Sequence, residues 1–168
     1  MIRLVSFKKA IVGGVLGAVA WEAVARILVL AGVPVFDIVR TLGLIVFGPS
    51  RSAIWWWPVG LAMHAAVGAV WATFYAYFFW SIFDLRPPLQ AVIFSLLPAA
   101  LAGLVMVPQL DVMMGNAGAN TLGIFAYHLG MGGPAMLIGG HLIYGLVLGS
   151  VYVRPVGYGR GQSVNTYA

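Results

Sequence analysis

Two histidines within long apolar stretches are the residues best placed to do chemistry. His64 and His141 lie six and seven residues after a proline that opens such a stretch. At about 1.5 Å rise per residue, both would lie roughly 10 Å along helices that run in the same direction. A glycine follows each histidine four residues later, Gly68 and Gly145, on the same helix face. This pattern fits a flat tetrapyrrole, haem b or a pigment, with imidazole ligands and glycines that leave room for the ring.

A second interpretation of His64 and His141 stays open. Each imidazole would donate a hydrogen bond to a carbonyl or hydroxyl group on a neighbouring helix, and the glycines would only let helices approach closely. A neutral histidine is among the less costly polar side chains in a membrane. Ligation requires both rings to face one cleft, whereas the packing role would tolerate Asn or Gln at either position.

Glu22 and Arg26 form the other polar pair within an apolar stretch. They are four residues apart with the acid first, the favourable order for an ion pair on a helix. Glu22 lies about halfway along its stretch, and Arg26 lies close enough to the end to reach the interface. The pair is either a proton-relay group with its partner or a self-neutralising pair that faces the bundle interior or another subunit.

Other chemistry has little support. Asp111 and His128 are weak candidates for a metal site, because their spacing is not that of a ligand set. The chain has no cysteine, which excludes disulfides and thiolate catalysis. Gly-x-Ser-x-Gly, His-Glu-x-x-His and paired-carboxylate motifs are also missing. We therefore predict no catalytic residue and expect that the protein is not an enzyme.

The composition indicates which elements carry these residues. Of the 168 residues, 62% are hydrophobic and 8% charged, with a mean hydropathy of +0.99. Such a chain cannot cover a soluble domain with polar groups, and its few basic residues form no nucleic-acid patch. We predict an all-α integral-membrane four-helix bundle in one domain, 1–153, followed by a flexible cytoplasmic tail, 154–168. The predicted spans are 10–32, 55–80, 89–107 and 134–153.

The connections between the predicted spans differ in character. Residues 34–52 indicate an interfacial loop or a short surface helix. Pro98 predicts a kink in the third span. A long, charge-poor extracytoplasmic loop, 108–133, joins the third and fourth spans and includes a short helix over 121–128. We expect this loop to pack on the bundle or on another subunit.

Basic residues predict the orientation, because they concentrate on the cytoplasmic side of membranes. With four spans both termini share a side, and that side holds six basic residues against two on the other. The six are Arg3, Lys8, Lys9, Arg86, Arg154 and Arg160, and the two are Arg40 and Arg51. Aromatic residues are expected at both interfaces, Trp55, Trp56 and Trp57 at one and Tyr77 and Trp80 at the other.

Two Gly-x-x-x-Gly pairs predict helix contacts. Gly13 and Gly17 begin the first span, and Gly145 and Gly149 end the fourth. Because these spans run in opposite directions, both pairs fall in the cytoplasmic leaflet. Small residues permit close approach of helices in lipid, so we predict that the first and fourth spans touch there.

The chain resembles small four-span bacterial inner-membrane proteins of the YagU-like kind. The resemblance covers most of residues 10–153 and lies in a Gly-rich first span, the turn 33–38 that leads to Leu42-Gly43, His64, and the segment 141–149. It implies a bacterial cytoplasmic-membrane location and this fold, and it carries over no catalytic residue.

Three functions follow as hypotheses. The first is a non-enzymatic accessory subunit that packs against a larger membrane complex, or against copies of itself, through its glycine faces and apolar loop. The second is an electron-transfer subunit with a cofactor on His64 and His141. The third is a channel or transporter component around Glu22. Bound lipid is expected in each case, and nucleic acid is not a partner.

Overall fold

The computed structural model describes residues 5–33, 35–48, 52–80, 82, 85–116, 118 and 121–152. Helices are the only regular elements among them, which confirms the all-helical prediction for this part of the chain. The predicted tail, 154–168, lies outside the described residues. In chain order the helices are α1 (Phe7–Leu30), α2 (Ile38–Phe47), α3 (Ala53–Phe74), α4 (Pro87–Leu101), α5 (Val107–Met113) and α6 (Gly132–Val151).

Shorter helical elements of π and 3₁₀ type also occur among the described residues. Tyr75–Phe79 extends α3, Ala102–Met106 joins α4 to α5, and Ile124–Leu129 is a 3₁₀ helix before α6. The segments Phe7–Leu30, Ile54–Phe79, Pro87–Met113 and Gly132–Val151 are long and apolar enough to cross a membrane. Four such segments match the number predicted from hydropathy.

The third long segment differs most from its predicted bounds. We expected a span of 89–107 followed by a loop from Pro108, but helix continues to Met113. Pro108 lies at the start of α5, where its missing N–H is tolerated, and the π-helical turn precedes it. The irregular stretch therefore begins beyond Met113. The expected short helix in this loop is the 3₁₀ helix, shifted to Ile124–Leu129.

The long helices pack with α1 between α3 and α6, while α4 packs on the other side of α6 and α2 lies along α3. Local capping fixes two of the starts. The Ser6 hydroxyl accepts the N–H of Lys9 at the start of α1, and the Asp37 carboxylate accepts the N–H of Arg40 at the start of α2. The short helix expected within 34–52 is thus α2.

An aromatic cluster closes the end of the bundle that holds Ser6. Trp80 is buried there, with its ring 4.8 Å from that of Tyr152, so its indole packs inside the bundle, and its position at a membrane interface stays a prediction. Ser6 donates its backbone N–H to the Tyr152 hydroxyl at 2.9 Å, and burial raises the pKa of Tyr152. Trp55 and Tyr77, by contrast, are exposed, and their position at a membrane interface also stays a prediction.

Candidate functional site

The two histidines of the predicted cofactor site lie around one tryptophan. His64 on α3 and His141 on α6 are 6% and 7% exposed. The Trp21 indole of α1 reaches between these helices, with its ring centroid 4.9 Å from that of His64 and 4.6 Å from that of His141. The structure thus brings both imidazoles to one place, but the flat ring beside them belongs to Trp21.

The hydrogen bonds of the two imidazoles are unequal. His141 Nδ1 lies 2.8 Å from the carbonyl oxygen of Leu137, one turn earlier in its own helix, and donates its proton there. His64 Nδ1 is buried and has no hydrogen-bond partner among the described residues. The expected hydrogen bond from each imidazole to a neighbouring helix is therefore replaced for His141 by a bond within α6.

Gly68 and Gly145 do not leave space for a cofactor. A Cβ on Gly68 would lie 2.7 Å from the carbonyl oxygen of Gly14, and one on Gly145 would lie 2.6 Å from that of Ala91. Tyr144 also donates its hydroxyl to the Gly68 carbonyl at 2.7 Å. Helix backbones fill both glycine faces, so a tetrapyrrole does not fit there. The prediction that these glycines make room for a tetrapyrrole ring is therefore wrong.

Glu22 and Arg26 form an ion pair, and it extends to a third residue. Arg26 Nε lies 2.6 Å from Glu22 Oε1, and Arg26 Nη2 lies 2.6 Å from Asp37 Oδ1. Glu22 is 4% exposed, whereas Arg26 and Asp37 are partly exposed. Because Asp37 also caps α2, this carboxylate–guanidinium–carboxylate chain joins the middle of α1 to the start of α2.

Sequence reasoning did not assign a role to Asp37 in this chain. One signal was available, since aspartate is a preferred residue at the start of a helix and Asp37 directly precedes an apolar stretch. That Arg26 reaches the same carboxylate depends on how the chain turns between α1 and α2, which the sequence pattern does not give.

The two Gly-x-x-x-Gly pairs serve different contacts. Gly13 and Gly17 face α6, where added Cβ atoms would meet Leu148 and Tyr144. Gly145 and Gly149 instead face α4, and a Cβ on Gly149 would lie 2.5 Å from the Pro87 carbonyl oxygen. Helices α1 and α6 do touch, but the nearest atoms to Gly145 and Gly149 belong to α4 and not to α1.

Asp111 and His128 bind the same short segment of chain. The Asp111 carboxylate accepts the N–H groups of Leu122 and Gly123 at 2.8–3.1 Å and the Asn116 amide at 3.0 Å. His128 Nδ1 lies 2.9 Å from the carbonyl oxygen of Thr121. In the part of the chain that the structure describes, no three His, Cys, Asp or Glu residues group as a metal site. Both side chains therefore order the loop.

An apolar groove of about 240 Å³ runs between α1 and α6. Gly139 lines it, and a Cβ on this glycine would meet nothing within 4 Å. The neighbouring Gly140 is covered by the Trp21 ring. The groove was not predicted, because α6 is rich in small residues and their spacing does not tell which of them face empty space. The lining residues are Val24, Leu28, Val33, Val35, Gly132, Ala135, Met136, Gly139, Gly140 and Ile143.

Comparison with known proteins finds no matching family model, no matching curated protein and no matching solved structure. The resemblance to YagU-like proteins therefore stays a prediction.

Proposed function

We propose that this chain is a non-enzymatic accessory subunit of the bacterial cytoplasmic membrane, with four membrane crossings and both termini in the cytoplasm. The crossings are α1, α3 with its π-helical turn, the continuous segment Pro87–Met113, and α6. In the most apolar stretch of each, only 33–44% of the residues are buried within the chain. The remaining apolar surface needs lipid or another membrane protein as its solvent.

The distribution of polar groups supports this role. The carboxylate of Glu22 is neutralised by Arg26, and the two buried imidazoles contact Trp21. An enzyme needs a reactive group within reach of a substrate, whereas these groups are directed into helix contacts. They are better suited to fixing the bundle than to binding a substrate.

The groove between α1 and α6 is the observation that carries the proposal. Ala135 and Gly139 are four residues apart on α6 and both line it. Small residues at this spacing let a second helix approach closely in lipid. Unlike Gly145 and Gly149, which α4 already covers, Gly139 is uncovered.

The occupant that fits this groove is a transmembrane helix of a neighbouring subunit, in a larger complex or a second copy of this chain. Its lining is made of aliphatic side chains, methionine and glycine, so it offers no side-chain hydrogen bond or charge to a polar ligand. Association through it would depend on shape and van der Waals contact.

The experiment is to fill the groove by Gly139→Leu and measure association in native membranes. Discs of native membrane would be excised with polymer, and the mass of the particle that holds the protein would be determined. We expect the wild type in a larger assembly and at least a tenfold smaller assembled fraction for Gly139→Leu. Because the added side chain starts in open space, the variant should fold normally.

Ala66→Leu is the matched control, since Ala66 is exposed on α3, away from the groove, and the change introduces the same side chain, with one carbon atom fewer added. This variant should assemble like the wild type. A wild-type protein present only as a single chain, or equal assembly of Gly139→Leu, would contradict the proposed docking.

A second function is favoured by the ion-pair chain around Glu22. A carboxylate that is 4% exposed, linked through Arg26 to Asp37, provides a sequence of charged groups from mid-helix toward one end of α1. A buried carboxylate is a candidate proton-relay group, and Arg26, which does not release its proton, would hold Glu22 in place. In liposomes Glu22→Gln would then abolish proton flux while Lys8→Gln would not, and flux that survives Glu22→Gln would end this hypothesis.

We do not propose a tetrapyrrole between His64 and His141, because Trp21 occupies the space beside both rings. Absorption spectra of protein from native membranes, oxidised and reduced, should accordingly show no Soret band that depends on either histidine.

A further inference from the structure

The described residues between Leu110 and Met131 form a cap over one end of the bundle, and one carboxylate orders it. Both oxygens of Asp111 accept the Leu122 N–H, one also accepts the Gly123 N–H, and the other accepts the Asn116 amide. Asp111 itself is buried. The N–H groups of a turn that would otherwise need water are therefore satisfied inside the protein.

The 3₁₀ helix of the cap is fixed from its inner side. Phe125 and Ala126 have φ values of 53° and 56°, a backbone conformation unfavourable for residues other than glycine. This conformation directs the Phe125 ring onto Gly103 in the π-helical turn and places the Ala126 carbonyl against Gly133. The cap is thus packed onto the bundle instead of hanging free from it.

The outer side of the cap is largely apolar, although the exposed His128 imidazole, bound to Thr121, also lies on the surface. Five large side chains are between 58 and 72% exposed: Val112, Met113, Ile124, Tyr127 and Met131. From Val107 to Gly133 the sequence has only one charged residue, Asp111, and that side chain points inward. Water would be a poor solvent for such a surface.

We propose that the cap lies within the lipid leaflet at its end of the bundle, at the boundary between headgroups and acyl chains. This inference rests on the proposed membrane crossings. Non-helical backbone is tolerated at such depth only when its polar groups are satisfied by the protein. Asp111 provides this for Leu122 and Gly123.

Lipid is favoured over a protein partner by the continuity of the exposed surface. Exposed apolar side chains of the segment Pro87–Met113 include Leu104, Val105 and Met106, and they extend into the cap at Val112 and Met113. Tyr127 adds an aromatic ring with a polar tip, the kind of side chain enriched where membrane meets water. A leaflet that surrounds the helix segment would also reach the cap.

The absence of cysteine permits a direct test by single-cysteine labelling. Ile124→Cys and Tyr127→Cys would carry an environment-sensitive NBD label in liposomes that contain doxyl-labelled lipids. Val70→Cys, at an exposed position inside the crossing Ile54–Phe79, is the acyl-chain reference, and Lys8→Cys is the water reference. Both cap positions face outward, so the labels should not disturb the fold, and elution as a single species would check this.

We expect lipids with doxyl near the headgroup to quench the cap labels efficiently. The efficiency should be within a factor of about two of that with which mid-chain doxyl quenches the Val70 label. Aqueous iodide should quench only the Lys8 label strongly. Iodide quenching of the cap labels, or protection from both quenchers by a second protein chain, would overturn the inference. If the Val70 label also escapes doxyl quenching, the membrane crossings themselves fail, which is a separate result.

Discussion

Glu22 and Asp111 are both carboxylates buried in long apolar helix segments, yet they are satisfied in different ways. Glu22 pairs with a guanidinium, which also binds Asp37 at the start of α2. Asp111 instead accepts backbone N–H groups of Leu122 and Gly123. One carboxylate links two helices through charge, and the other orders an irregular loop through hydrogen bonds.

The difference shows that the structural role of a buried acid depends on the groups that bind it. An acid paired with a cation brings two desolvated charges together, so loss of one leaves the other uncompensated. An acid bound by backbone N–H groups holds a loop in one conformation. Its loss therefore affects the loop more than the packing of the bundle. The two sites should therefore fail differently when each is altered.

Arg26→Ala should have the largest effect. It leaves Glu22 buried without its cation, and the loss of stability should be about 3 kcal/mol, at the lower end for a broken buried pair because Arg26 is partly exposed. Unfolding by denaturing detergent in mixed micelles would measure it. Addition of Glu22→Gln to the variant should restore much of the stability, and a double variant as unstable as Arg26→Ala would contradict the pairing.

Asp111→Ala should cost about 2 kcal/mol, because two partly buried backbone N–H groups lose their acceptor. Unlike Arg26→Ala, it should act locally. Hydrogen exchange at residues 121–129 should rise while exchange in α1 and α6 stays near that of the wild type. Equal acceleration throughout the bundle would remove the distinction between the two carboxylates.

Two alanine substitutions on α6 test the packing beside Glu22. The ring of Trp21, the residue before Glu22, covers Gly140 but not Gly139. The added methyl group of Gly140→Ala meets the indole and should destabilise the protein by about 2 kcal/mol. Gly139→Ala should stabilise the helix by about 0.5–1 kcal/mol. Detergent unfolding of the two variants gives the sign, and the same sign for both would contradict the described packing.

Ala126→Gly should have a small effect of the opposite sign to most substitutions, a gain of about 1 kcal/mol, because glycine adopts a φ of 56° without strain. In contrast, Ala72→Gly removes an equally buried methyl group from within α3 and should destabilise by about 1 kcal/mol. Thermal unfolding of both variants in detergent would test this opposition. A loss of stability in both would show that the cap is not held in a strained conformation.

Hydropathy predicted four long helices, since each is apolar over enough residues to be recognised without knowledge of its neighbours. The predicted end of the third helix, just before Pro108, was wrong. A proline generally ends a helix, but Pro108 is accepted in the first turn of α5, after the π-helical turn. Local sequence does not show that α4 and α5 are continuous.

The candidate site was predictable only in part. The matched depth of His64 and His141 brought the right two residues together. That Trp21 lies between them depends on the rotation of α1, which its nearly uniform apolar sequence does not specify. The same limit applies to the small residues of α6, because packing alone decides that Gly145 is covered and Gly139 is open.

Polarised infrared spectroscopy of the protein in oriented bilayers tests the proposed membrane crossings most directly. Four crossing helices should give an amide I dichroism dominated by axes within about 40° of the membrane normal, with α2 as a minor deviation. Helices oriented mainly in the membrane plane would contradict the account, because the groove, the cap and the buried charges would then face a different solvent.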